Sequence, residues 1–340
     1  RHLDVQMHER TWEDPSVRVP ARSLTVTDNT GSQITGPFGD HSLLNPVDVF
    51  LSGPWLTVQS DGANVVVEDV DDALIVGDLD LTMASAITWE HTLVARDWLS
   101  RVGPQHDWPA EHVPAQVDLS SGACNAFYQS GTLNFYRGNQ GCTNFGGIAD
   151  VVYHEYGHGV HDKGLLGGTF AGDVSEGSAD YLSATLNDDP YVGIGSTGPG
   201  TWIRELDTDK RYPDDIVGEV HADGLIWGSF LWNLRSQWID QMGVDAGVLA
   251  TDTLFLDTLS YGPSLTDIYE SVLAADDDNV DITDGSPHDC ELMELLDHHG
   301  IGPGPIGYVV MEHTPVGVQP TAKLPYSVTF DLSLVTAGCG

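Results

Sequence analysis

The 340-residue sequence predicts an α+β protein of two lobes, β-rich in its first part and α-helical in its second, ending in a short β tail. Three observations lead there. Residues 1–84 alternate short β-branched runs with Gly, Pro, Asp and Asn. Apolar residues recur at helical spacing through most of 147–300. Strand character returns in 305–340, where Pro315, Pro320 and Pro325 separate two apolar stretches. A single core stops growing near roughly 250–300 residues, which favours two packed lobes. The expected division is 1–146 for the β-rich lobe, 147–304 for the helical lobe, and 305–340 for a β-type tail or the start of a further module.

In chain order, Val47–Leu51, Trp55–Val58, Val65–Val67 and Ala73–Val76 read as strands between turns. From Ala84 to Val102 the period changes, with Ile87, Leu93, Val94, Trp98 and Leu99 marking one long helix. A segment broken by Pro104, Pro109 and Pro114 follows. Asn125–Tyr128 and Thr132–Tyr136 then read as a strand pair around Gln129, Ser130 and Gly131. Helices are expected at 147–162, 174–186, 222–241, 245–259, 264–275 and 288–298, and strands at Gly307–Met311 and Tyr326–Val335. There is no internal repeat.

Acidic residues number 51 against 13 basic ones, a formal charge of −38. Such a field repels nucleic acid and anionic membrane, so no nucleic-acid partner is expected. No apolar run reaches the ~20 residues of a spanning helix, so no membrane insertion is expected either. The acids are 38 Asp against 13 Glu and the bases 10 Arg against 3 Lys. That balance suits an extracellular protein in salty or calcium-containing medium, and plain solubility accounts for it equally well. The chain starts at Arg1 with no apolar leader, so it reads as a mature or trimmed fragment whose leader lies upstream, although an arbitrary cut in a longer chain would look the same. None of the four cysteines forms a CxxC pair. Cys124 and Cys142 are spaced for a local disulfide, a bridge that would contribute about 3 kcal/mol, and Cys290 with Cys339 is the remaining pair.

Chemistry concentrates in residues 150–159, DVVYHEYGHG. On a helix, His154 and His158 stand one turn apart on one face and can bind one Zn²⁺. Glu155 is offset by about 100° and lies beside the metal's open position, where a carboxylate can take a proton from water. A solvated helix face is the bland alternative. His161 is too far along the helix to share a metal with His154, at about 10 Å. A third ligand is available 18 residues after His158, at Glu176 in the segment VSEGSAD. Asp180, one turn on, is placed to accept a hydrogen bond from a ligand histidine. Asp173-x-x-Glu176 also fits a capping box, a competing role for Glu176.

With these residues in place, the sequence resembles a thermolysin-like or fungalysin-like gluzincin metallopeptidase. Matching segments run in order over about residues 84–300: NAFY at 125–128, GGIADVVYHE at 146–155, EVHADGLIW at 219–227, DGSPH at 284–288 and DHHGI at 297–301. The first 80 residues and the tail after about 304 lie outside the resemblance. It implies a secreted endopeptidase that cleaves peptide or protein substrates and works as a monomer. It also implies a zinc ion on His154, His158 and Glu176, Glu155 as general base, and His221 as a donor to the oxyanion. Asn125 and Ala126 would pair with substrate as an edge strand. Arg204 would bind a substrate carbonyl, with a salt bridge to Asp207 or Glu205 as the alternative. The resemblance further implies a structural Ca²⁺ at Asp150 with Asn187, Asp188 and Asp189. The acidic loop Asp276–Asn279, with Asp281 and Asp284, reads more simply as a solvated turn. One departure stands out. Residues 159–175 hold no tyrosine, where thermolysin has a further oxyanion donor; either His221 works without that helper, as the fungalysin-like resemblance implies, or a tyrosine elsewhere such as Tyr212 supplies it. A catalytically silent module of the same fold and a zinc aminopeptidase are the competing readings.

Overall fold

The turn-rich beginning of the chain folds into short strands, because no run between its Gly, Pro and Asp punctuation is long enough for a helix. The computed structural model describes residues 1–43, 46–70, 80–279, 285–304, 307–313 and 330–336. Strands β1 (Asp4–His8) and β2 (Ser16–Pro20) form an antiparallel pair. Next come β3 (Thr25–Asp28), β4 (Gly31–Ile34), β5 (Val47–Phe50), β6 (Leu56–Ser60), β7 (Ala63–Asn64) and β8 (Val66–Val70). Of these, β4-β3-β5-β8 make a four-stranded antiparallel sheet. Its inner face carries Val26, Val47 and Val49, all buried, at the two-residue period of a half-covered sheet. The expected run Ala73–Val76 lies outside the described residues.

A second sheet has five strands in the order β10-β11-β9-β6-β7, with β9 at Val113–Leu119, β10 at Ala126–Gln129 and β11 at Thr132–Tyr136. β9 is its central strand, parallel to both β6 and β11. The Pro-broken segment was not expected to hold a strand. Pro114 is tolerated because it sits at the entry, ahead of Ala115 where pairing with β11 begins. β10 closes one edge and pairs only with β11, so one side of its backbone is free. Cys124 and Cys142 are disulfide-bonded across the stretch around this hairpin. Cys290 is also disulfide-bonded, and its expected partner Cys339 lies outside the described residues.

Helix α1 (Asp80–Val102) packs on both β6 and β9 and buries Ile87, Trp89, Leu93, Trp98 and Leu99. The later helices are α2 (Ala149–Gly164), α3 (Gly172–Asn187), α4 (Val220–Met242), α5 (Val244–Ser260), α6 (Ile268–Asp276) and α7 (Asp289–His298). A two-residue ladder joins β12 (Tyr191–Val192) to β13 (Arg204–Glu205), and β14 (Gly307–His313) pairs with β15 (Phe330–Thr336). No described helix is long and apolar enough to cross a membrane.

What positions the centre is the close stacking of α2, α3 and α4. A Cβ added to Gly157 on α2 would lie 2.7 Å from Ala179 Cα on α3. One added to Gly177 on α3 would run into the Gly224 carbonyl on α4 and lie 3.0 Å from Gly228 N. Only glycine lets these backbones meet. Gly177→Ala is therefore expected to cost about 1–3 kcal/mol and to lower metal affinity by moving its neighbour Glu176. Thermal unfolding and metal titration check both effects.

α1 also carries His91, whose Nδ1 lies 2.6 Å from Tyr153 Oη on α2. Burial pushes its imidazole down to about 4. The folded state thus keeps His91 neutral where the unfolded chain takes up a proton, near pH 6.5. Its stabilisation is fully present above that pH and is lost as pH falls through 4, on the order of 3 kcal/mol. A His91→Gln variant is expected to show a shallower acid loss of melting temperature.

Candidate metal centre and cleft

α2 is buried along most of its length, so its polar residues must be satisfied inside the protein. Asp180 on α3 does this for His154. A carboxylate can only accept, so His154 donates from Nδ1 to Asp180 Oδ1, 2.8 Å away. Ser175 Oγ meets His158 Nδ1 at 2.8 Å. With their outer nitrogens engaged, the two rings aim Nε2 at one another across 3.2 Å. Glu176 completes the group: its Oε2 lies 3.3 Å from His154 Nε2 and its Oε1 3.7 Å from His158 Nε2.

These separations suit one metal ion. Tetrahedral zinc with bonds of about 2.0–2.1 Å holds its donors roughly 3.3 Å apart. Glu176 Oε2 is moreover buried without a hydrogen-bond partner, so one donor has nothing else to satisfy it. Two imidazoles and a carboxylate are a donor set zinc accepts. His154, His158 and Glu176 are the one such cluster among the described residues. The carboxylates favour positive charge at His154 in particular. Burial opposes protonation of His154, but Asp180 and then Glu176 outweigh it and hold the ring up at about 10. Burial, followed by the charge on His154, pushes His158 down to about 3. Glu176 and Asp180 are both held below the carboxylate range, because their charged partners outweigh the penalty of burial.

Glu155 is buried in the same cleft and its Oε2 has no partner. Burial pushes its carboxyl up to about 7, His154 and Arg204 pull it down, and Glu176 pushes it up. The cleft encloses about 630 Å³. It is lined by Asn125, Ala126 and Tyr128 at the open edge of β10, by Val192, Thr197 and Ile203, and by His221. Glu219 caps α4 by accepting from the backbone of His221 and Ala222, and its Oε1 also takes His221 Nδ1 at 2.5 Å. His221 Nε2 is left facing Glu176 Oε1 at 3.4 Å.

Several expectations change. Glu176 is not a capping residue: α3 begins after Ala171, and Asp173 bonds only its neighbour's amide, Val174 N. Arg204 pairs with neither Asp207 nor Glu205. It forks onto Asp180 from Nε and Nη2 at 2.6 and 2.7 Å, bracing the carboxylate that holds His154. Tyr212 does not line the cleft, and the one tyrosine there, Tyr128, donates its hydroxyl to Asp162.

At the expected calcium position the acids have protein partners. Asp150 receives Arg10 Nε and Nη2 at 2.6 and 3.1 Å, Asn187 Nδ2 at 3.0 Å, and the amides of Gly193 and Ile194 at 2.8 and 3.0 Å. Asp189 takes Arg10 Nη1 at 2.9 Å, and Asp188 pairs with Arg235 instead. A guanidinium thus neutralises these acids, and five N–H donors fill the Asp150 oxygens. In the second acidic loop Asp276 binds His288, while Asp281 and Asp284 lie outside the described residues. The partners Ser175, Glu219 and Arg10 were not foreseen. Only Glu219 left a sequence signal, as an acid directly before a helix start.

Comparison with known proteins agrees with this geometry. No protein-family model matches the chain. An extracellular metalloproteinase 5 of Arthroderma benhamiae is 25% identical over 194 residues, covering 46% of this chain and 30% of that protein. An extracellular metalloproteinase 4 of Trichophyton tonsurans is 26% identical over 220 residues, covering 52% and 34%. The chain is a distant homologue of the fungal extracellular metalloproteinases. It spans about a third of the length of these relatives. The precursor of protealysin, a metalloproteinase from Serratia proteamaculans, shares the fold with a TM-score of 0.57 at 15% identity, over 73% of this chain and 87% of that one.

Because Asp180 both orients His154 and receives Arg204, Asp180→Asn is expected to weaken zinc binding about 10–100-fold. Competition with a chromogenic chelator measures this, and unchanged affinity would remove Asp180 from that role.

Proposed function

We propose that this protein is a secreted zinc endopeptidase that hydrolyses internal bonds of extended peptides. The observation that carries the reading is the convergence in one cleft of His154, His158 and Glu176, a buried Glu155 oxygen without a partner, and the open edge of β10. Zinc bound by the three donors would polarise a carbonyl and acidify a water.

The chain's own groups supply the rest. A substrate strand adds to β10 through backbone hydrogen bonds at Asn125 and Ala126, which holds the scissile bond over α2. An edge strand takes a mid-chain segment as readily as an end, which favours endopeptidase action. Glu155 accepts the proton of the attacking water and passes it to the leaving amine. His221 donates Nδ1 to Glu219 and, in its doubly protonated form, donates from Nε2 to the oxygen on which negative charge develops. Arg204 keeps Asp180, and through it His154, in register and presents its guanidinium to the cleft beside Ile203. Export is supported by the Cys124–Cys142 disulfide, which persists in oxidising compartments, and by the extracellular names of the relatives.

Glu155→Gln tests the reading. Cleavage of an N-blocked peptide is expected to fall at least about 10²–10⁴-fold with zinc content unchanged by mass spectrometry. Wild-type cleavage should stop on adding o-phenanthroline. A wild-type protein that holds zinc but cuts neither casein nor the blocked peptide would instead be the silent module.

A further inference from the structure

Val192, Thr197, Ile203 and Arg204 form part of the cleft lining, and the segment carrying them has just a two-residue ladder of its own, β12 with β13. Outside contacts hold it too: the Gly193 and Ile194 amides on Asp150, Arg204 on Asp180, and Thr143 on Gly195 and Ser196. So short a pairing is not stable alone. The N-terminal segment adds a further set of ties. Arg10, whose side chain is only 16% exposed, reaches three elements at once. It forks onto Asp150 in the first turn of α2, donates to Asp189 just after α3, and donates from Nη2 to the Tyr191 carbonyl on β12 at 2.8 Å. Its own carbonyl accepts Ala149 N at 2.8 Å, capping α2, where Ile148 has no side chain to do so. The next residues hold the rest of the loop. Trp12 Nε1 donates to Gly195 O at 3.0 Å, and Gly200 N donates to the Glu13 carboxylate at 3.0 Å.

We propose that Arg10 is a positioning residue for the cleft: by docking the 190–204 loop on α2 it sets where Val192 and Ile203 meet a substrate side chain, and so sets side-chain selection. The guanidinium suits this task because its acceptors surround a planar fork, which a lysine ammonium cannot match. The selection half rests on the peptidase reading, and the docking half stands without it.

The test compares wild type, Arg10→Ala, Arg10→Lys and Glu13→Ala, all zinc-loaded and assayed well below their melting points. Two N-blocked peptides are used, identical except for Leu or Gly beside the scissile bond. For Arg10→Ala, hydrogen exchange across 193–203 is expected to quicken about tenfold and the Leu-over-Gly preference in kcat/KM to drop roughly tenfold, with zinc stoichiometry unchanged. Added methylguanidinium should restore part of both, and Arg10→Lys should fall between. A lower melting point with exchange and preference both at wild-type levels would overturn the proposal, leaving Arg10 a mere buttress. If Arg10→Ala does not fold, Glu13→Ala decides, since it removes only the Gly200 tether. Faster exchange at 198–201 supports the brace, and wild-type exchange there overturns it. Wild-type protein that cuts neither peptide sinks the peptidase reading, while the exchange comparison still judges the docking.

Discussion

Three helices stacked at glycine-bearing contacts are the constraint on which the rest depends. Gly157 against Ala179, and Gly177 against Gly224, bring α2, α3 and α4 nearer than side chains would allow. Because the contact residues alternate with the functional ones, proximity and chemistry are coupled. Gly157 lies between His154 and His158, Gly177 follows Glu176, and Gly224 comes three residues after His221. The helices cannot separate without pulling the donors apart, so packing energy keeps two imidazoles and a carboxylate together despite their mutual desolvation cost.

A second economy runs through the charges. The chain has ten arginines and three lysines against 51 acids, yet several of those arginines are spent inside. Arg10 serves Asp150, Arg22 serves Glu90, Arg204 serves Asp180, and Arg235 reaches Asp188 from a buried position. Each acid so matched sits on a helix or directly after one. The surface is left overwhelmingly acidic, while the interior is balanced by planar cations that can serve several acceptors at once.

Local patterns in the sequence were enough for most elements and for the donor set. Helical spacing found α1 to α7, and the gap between His158 and Glu176 found the third donor. What escaped was non-local. β9 was hidden because Pro114 argues against a strand, and only the neighbouring register shows that its missing N–H falls at the strand's entry. Arg10 was hidden because its partners lie 140 and 179 positions away. The partner of the acids around Asp150 was hidden for the same reason, since Asp150 and Asp189 look alike whether a metal ion or a distant guanidinium answers them. Asp180 was placed correctly beside His154 but its second partner, Arg204, was not, as an arginine gives no local sign of which acid it will choose.

On the proposed peptidase reading, the free side of β10 has a consequence for what could be attacked. Its hydrogen-bonding groups are offered in a line, pinned near one end by the Cys124–Cys142 bridge and along its length by Tyr128 on Asp162. A rigid line of that kind would accept only a chain whose own backbone is unengaged over several consecutive residues. A folded protein has such a stretch only while a loop or terminus is locally open, so its rate of loss would follow its opening equilibrium. Discrimination between intact and damaged proteins would then arise from the geometry of one strand, before any side chain is read.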